Sequence, residues 1–235
     1  MDLTREPARA ALRKLIDRAD VFLTNLLPKR LARFGLDAAT LRAARPELVF
    51  ASLNGYGTRG PEADTPAFDY TAYWSRSGLM DTLRDENAPP AFLRPGVGDH
   101  AASLALTSGI LAALRVRDTS GVGQEVDVNL MHIGLYVGGN DACVVASTDV
   151  DTPHHDPAGS RNPLWSHYPT ADDRSVFFVM IDSQRYWPAF CRAIGRPELE
   201  RDERFENEVA RYRNSPELTA LIAAVVRTRT LAEWE

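Results

Sequence analysis

The sequence predicts an α/β protein followed by a smaller α+β unit, and three observations carry that reading. Two short apolar runs, Ala19–Leu23 and Leu48–Leu53, carry almost no charge, are separated by helical patterns and end in Thr24-Asn25 and Asn54-Gly55. Buried parallel strands read this way. A long alanine-rich helical stretch then leads into the polar–apolar alternation of Gln124–Leu130. Beyond a loop rich in Pro, Asp, His and Gly, from Ser147 to Pro163, the texture changes around the apolar run Val176–Ile181. The division expected is a large domain over residues 1–150 and a smaller one over 151–235.

The elements follow in order. Pro7 to Arg18 places Ala8, Leu12, Leu15 and Ile16 at helical spacing. Pro28 to Phe34 is a short helix stopped by Gly35, and Asp37 is a natural N-cap for a helix reaching Ala44. Asp69 to Met80 reads as one helix, and Asp81 to Pro95 as a polar, proline-bearing loop. Asp99 to Val116 is the strongest helical stretch, with Leu104, Ile110, Leu111 and Leu114 on one side. Met131 to Val145 is expected to be a buried helix. In the last third, Val176–Ile181 is a strand, while Gln184–Ile194 and the stretch after Asn214 are helical.

Bulk properties exclude several classes. A net charge of −5 gives no general attraction for nucleic acid. The two cysteines, Cys143 and Cys191, make neither a disulfide framework nor a zinc site and are expected to be small core residues. No apolar run is expected to cross a membrane, and the charged opening segment lacks a signal-peptide core. A reducing, cytoplasmic setting fits. His154-His155-Asp156 lacks further ligands for a metal, His132 reads as a core histidine, and no metal is expected.

In open α/β sheets ligands gather beyond the carboxyl ends of the strands, which makes Thr24-Asn25 and Asn54-Gly55-Tyr56-Gly57 candidate pocket loops, although strand ends need polar, glycine-bearing turns in any case. A second candidate is Arg94-Pro95-Gly96-Val97-Gly98-Asp99-His100, which delivers the chain into the long helix. On local pattern Asp99 there reads first as an N-cap, and alternatively as a nucleophilic carboxylate beside a glycine, Gly98, that admits a ligand; the two roles are compatible.

The wider pattern favours the nucleophile. Gly98-Asp99, then Ser108-Gly109-Ile110-Leu111-Ala112-Ala113-Leu114, then Thr119-Ser120-Gly121-Val122-Gly123-Gln124-Glu125-Val126-Asp127-Val128, is similar to the signature of the family III CoA-transferases, the CaiB/BaiF family. The resemblance includes Ala19-Asp20-Val21, Asn25-Leu26-Leu27-Pro28, Arg45-Pro46-Glu47-Leu48-Val49 and Gly55-Tyr56-Gly57-Thr58-Arg59-Gly60-Pro61. It resumes at Arg161-Asn162-Pro163-Leu164, Ala171-Asp172-Asp173, Arg185-Tyr186-Trp187, Asp202-Glu203-Arg204-Phe205 and Leu231-Ala232-Glu233-Trp234.

The resemblance implies a partial Rossmann-like large domain and transfer of coenzyme A between an acyl-CoA and a carboxylic acid through an aspartyl intermediate on Asp99. It implies Asn25 and Arg33 as CoA contacts, with Leu3 and Thr4 in a further CoA-contacting segment, where Thr4 replaces the usual lysine. The family's other polar contacts fall near Asp69 and Tyr70. Coenzyme A enters as a substrate, and no permanently bound cofactor is implied. The family's interlocked homodimer implies the same partner here, with neither nucleic acid nor membrane. Relative to the family, the opening strand and the C-terminal return segment are missing, and the glycine loop's only candidate is Pro157-Ala158-Gly159-Ser160.

Two other readings stand beside this one. An α-methylacyl-CoA racemase shares the fold but requires a His-Asp pair where this chain has Phe68-Asp69. The third is a truncated, inactive paralogue that binds CoA or pairs with a full-length subunit.

Overall fold

The computed structural model describes residues 2–90, 93–154, 156 and 162–235. His155, the Pro157–Ser160 loop and Arg161 lie outside them. The chain forms two compact units, Met1–Arg84 with Pro89–Thr152 and Asp85–Ala88 with Pro153–Glu235.

In the first unit, α1 (Glu6–Ile16) leads to β1 (Val21–Thr24), α2 (Pro28–Phe34), α3 (Ala38–Ala44) and β2 (Val49–Asn54). Each strand starts and ends a little later than its apolar run, and Thr24 and Asn54 extend the ladders. Helix α2 stops where Gly35 adopts φ 63°, a left-handed conformation costly for other residues. Asp37 caps α3 by accepting from the Thr40 N–H. The parallel sheet runs β1-β2-β3, with β3 at Glu125–Asn129. Ile16, Leu31, Phe34, Leu36, Leu41, Leu48 and Phe50 fill one core cluster. Each such side chain contributes roughly 1.5–3 kcal/mol on burial.

Between β2 and β3 the structure departs from expectation. Asp69–Met80 is not one helix: Tyr70–Arg76 is a π-helical turn, and a short α4 (Leu79–Thr82) follows Gly78, whose φ is 86°. The wide turn packs Ala72, Tyr73 and Trp74 into the core in succession. Helix α5 spans Val97–Ser120, starting two residues earlier and ending four residues later than expected. It is long and apolar enough to cross a bilayer, contrary to the sequence reading, yet here it lies along β2 and β3. Its buried residues are Gly98, Ala102, Leu106 and Ala113, three of them small, and Gly109 lies against Val126 of β3. Leu104 and Leu111 face outward, 72% and 61% exposed.

The expected buried helix Met131–Val145 is two helices, α6 (Leu130–Val137) and α7 (Gly139–Thr148), meeting at Gly138. Tyr136, Val137, Val144 and Val145 are exposed, as are His132 and Cys143. Their apolar composition therefore does not mark them as core.

The second unit has a hairpin of β4 (Trp165–Pro169) and β5 (Ser175–Val179), pairing Tyr168 with Val176. Around it lie α8 (Ser183–Ala193), a 3₁₀ turn (Pro197–Arg201), α9 (Glu208–Arg213), α10 (Ser215–Val226) and α11 (Leu231–Trp234). Tyr168, Trp187, Phe190, Cys191, Leu218 and Ile222 form its core. Strand β4, the 3₁₀ turn and α9 were not foreseen, and the helical stretch after Asn214 is two helices, α10 and α11. Arg211 is buried at 3% exposure, donating to the Phe205 carbonyl and to Ser183 Oγ and Gln184 Oε1 beneath the Trp187 ring. Burial depresses its basicity.

Candidate active site

All three strands of the sheet are parallel, so Thr24, Asn54 and Asn129 close its carboxyl edge together, with Asn54 in register with Asn129. Polar side chains cluster there. Asp127 on β3 accepts from Ser52 Oγ at 2.8 Å, Asn54 Nδ2 at 3.1 Å, and both the N–H and Oγ1 of Thr58 at 3.1 and 2.9 Å. Asn54 Oδ1 in turn accepts from the Gly57 N–H. One carboxylate thus ties two strands to the Gly55-Tyr56-Gly57 loop. Asn129 caps α6 by accepting from the His132 N–H at 2.9 Å, and its amide lies 2.9 Å from His132 Nδ1. An amide nitrogen only donates, so this contact suits the tautomer that leaves Nδ1 as an acceptor.

The predicted site residues occupy three places. Leu3 and Thr4 form the turn before α1, with Leu3 packed on the cluster that holds Phe22 and Leu26. Their carbonyls both accept from Arg9, at 2.9 and 3.0 Å, and the Thr4 hydroxyl donates to Asp2. Asn25 is exposed directly after β1, and Arg33 is exposed on α2 with its guanidinium 5.8 Å from the Phe34 ring centre. The N–H of Lys29 in the first turn of α2 donates to Asp64, at 2.7 Å. Gly98 and Asp99 stand together in the first turn of α5.

That turn differs from the expected arrangement. Gly96, at φ 82°, occupies the N-cap position, and Asp99 lies three residues inside. Asp99 is therefore not the N-cap. The end of the helix is held from elsewhere: Asp69 accepts from the Gly96 N–H at 2.7 Å and the Gly98 N–H at 3.0 Å. Gly98 is buried so tightly that a Cβ would lie 2.2 Å from Tyr73 Cγ and 2.3 Å from Asp69 Oδ1. This glycine serves close packing of the chain on itself, beyond any approach of a ligand. The Asp99 carboxyl is exposed and accepts no hydrogen bond among the described residues. Partial desolvation raises its pKa above the ordinary aspartate value; Asp69 adds to the rise and His100 opposes it.

Sequence reasoning missed the clamp by Asp69 and the knot around Asp127. The residue type gave one signal: Asp127 lies in an alternating strand on the same register row as Ser52. Among the described residues no group of three His, Cys, Asp or Glu side chains is arranged to hold a metal ion.

Comparison with known proteins bears on this geometry. The chain is 34% identical over 240 residues to the cinnamoyl-CoA:phenyllactate CoA-transferase of Clostridium sporogenes, covering 100% of this chain and 58% of that protein. It is 31% identical to the (R)-2-hydroxy-4-methylpentanoate CoA-transferase of Clostridioides difficile, covering 95% of this chain and 55% of that one. The crystal structure of Rv3272 from Mycobacterium tuberculosis superposes with a TM-score of 0.84 at 27% identity, over 100% of this chain and 62% of that one. A CaiB/BaiF family protein from Brucella suis gives a TM-score of 0.82 at 26% identity, over 99% and 62%. The chain thus spans somewhat more than half the length of the proteins it matches. The family model for CoA-transferase family III matches residues 1–235, and with the parallel sheet and the Gly-Asp turn as described, the chain belongs to CoA-transferase family III.

Proposed function

We propose that the chain serves the transfer of coenzyme A from an acyl-CoA to a carboxylic acid, with Asp99 as the nucleophile. The observation that carries this reading is the state of the Asp99 carboxyl: exposed, free of hydrogen bonds among the described residues, and more basic than an ordinary aspartate. Raised basicity strengthens a carboxylate as a nucleophile.

In this scheme an Asp99 oxygen attacks the donor thioester carbonyl, and the C–S bond breaks to give a mixed anhydride and CoA thiolate. The thiolate attacks the aspartyl carbonyl, releasing the donor's carboxylate and leaving an aspartyl-CoA thioester. The acceptor carboxylate attacks that thioester and expels the thiolate, which takes the acceptor's acyl group and frees Asp99. Each bond broken is balanced by one formed, with no redox partner. Asn25 and Arg33 would hold the CoA nucleotide, the arginine by bidentate hydrogen bonds to phosphate. The exposed Leu104, Leu111, Tyr136 and Val137 support association with a second copy. The racemase reading needs an imidazole where Phe68 stands, 79% exposed, which supports the transferase instead.

Incubation with cinnamoyl-CoA, then hydroxylamine or borohydride trapping and peptide mapping, tests the proposal. An adduct on Asp99, absent from Asp99→Ala, is expected. An adduct on another residue, or full activity in Asp99→Ala, refutes it.

A further inference from the structure

We propose that Asp69 is a positioning residue for the nucleophile: its buried carboxylate grips the first turn of α5 and thereby keeps the Asp99 carboxyl from capping its own helix. The inference rests on Asp99 being the nucleophile. Asp69 is only 5% exposed, and both its oxygens are engaged, Oδ2 by the Gly96 N–H and Oδ1 by the Gly98 N–H. No described cation forms an ion pair with it. Burying a lone carboxylate is costly, and here the cost is offset by main-chain donors at the positive end of a 24-residue helix.

The consequence for Asp99 is chemical. An acidic side chain in a first helical turn ordinarily folds back onto the free N–H groups of that turn. Asp69 already holds two of those donors. Gly98 makes this possible, since any side chain there would displace Asp69 and Tyr73. Asp99 consequently projects from a fixed turn without satisfying it, the arrangement a nucleophile requires. The charged or titratable groups that act on it are Asp69, on the packed segment, and His100, on its own helix; Tyr73 packs against the neighbouring Gly98.

Asp69→Asn in the full chain separates the roles. The amide can accept one of the two N–H donors, but its NH₂ then faces the other, and the negative charge is gone. Three measurements follow: the carboxyl titration of Asp99 by ¹³C NMR, the rate of hydroxylamine-trappable adduct formation with cinnamoyl-CoA across pH, and CoA binding by calorimetry. Expected are a downward move of the Asp99 titration, an acid limb displaced to lower pH, at least a tenfold slower trapping rate, and a CoA dissociation constant within twofold of the parent. Asp69→Glu retains the charge but shifts the carboxylate by one methylene. It should slow trapping at least threefold without moving the acid limb, and it decides the matter should Asp69→Asn not fold. A folded Asp69→Asn with the parent's trapping rate and Asp99 titration overturns the inference. Absence of any adduct on Asp99 in the parent refutes the nucleophile assignment; the clamp on Asp99 is then judged by the NMR titration alone, and an unmoved titration overturns it.

Discussion

Replacing Gly98 with alanine should be far more disruptive than a single methyl group suggests. The new Cβ would lie 2.2 Å from Tyr73 Cγ, 2.6 Å from Tyr73 Cβ and 2.3 Å from Asp69 Oδ1, distances that no side-chain rotation relieves for the aromatic ring root. Overpacking of this kind costs about 1–3 kcal/mol. Displacing the Asp69 carboxylate weakens hydrogen bonds to a charged acceptor, each worth about 1.5–3 kcal/mol. Alanine's better helix propensity returns only about 0.5–1 kcal/mol. The balance is a loss of about 2–4 kcal/mol. Gly139→Ala is the control, because a Cβ at Gly139 meets nothing within 4 Å in the first turn of α7. Urea unfolding followed by circular dichroism, with amide exchange of peptides across α5, compares the two. The reasoning fails if Gly98→Ala lies within 0.5 kcal/mol of Gly139→Ala, a margin typical of surface substitutions at about ±0.5 kcal/mol.

Asp127→Ala should cost about 2–4 kcal/mol, since it strips the common acceptor from Ser52, Asn54 and Thr58, and denaturant melts would reveal it. Arg33→Ala should weaken CoA binding by about 1–3 kcal/mol in calorimetry, and an unchanged dissociation constant would return the residue to an ordinary solvated helix face. Burial pushes the Cys191 thiol up to about 12. Its thiolate is therefore scarce at pH 8, roughly one part in 10⁴, and native-state alkylation should label the exposed Cys143 alone. Labelling of Cys191 should rise as the pH approaches 12, or at once in denaturant.

What the sequence revealed was chiefly what neighbouring residues decide. The stop at Gly35 and the cap at Asp37 depend on contacts within one turn, and both appear as read. The identity of the Gly98-Asp99 turn emerged from an ordered series of motifs. The clamp on that turn did not, because Asp69 and Gly96 are 27 residues apart and only the packed π-helical turn brings them together. Asp127 and Ser52, 75 apart, meet through strand register in the same way. The apolar α6–α7 segment misled for another reason: composition fixes how much hydrophobic surface exists, while the neighbours present fix how much is covered.

The register of the strands has a consequence in time. Val21 pairs with Val49, but Phe50 must find Glu125, with several helices between. The hairpin needs only the short reversal from Tyr168 to Val176. Loop closure grows costlier by about 0.6 kcal/mol per doubling of length, and distant pairings slow folding. The two units should therefore acquire order on different clocks. During synthesis β1 and β2 can pair as soon as both have left the ribosome, while the far side of β2 waits with unpaired N–H and carbonyl groups until residues 125–129 emerge. For that interval the growing chain presents an uncharged strand edge, the kind that captures other chains. Slower, cooler synthesis, which keeps such nascent chains dilute, should raise the soluble yield more than any stabilising change in the finished second unit.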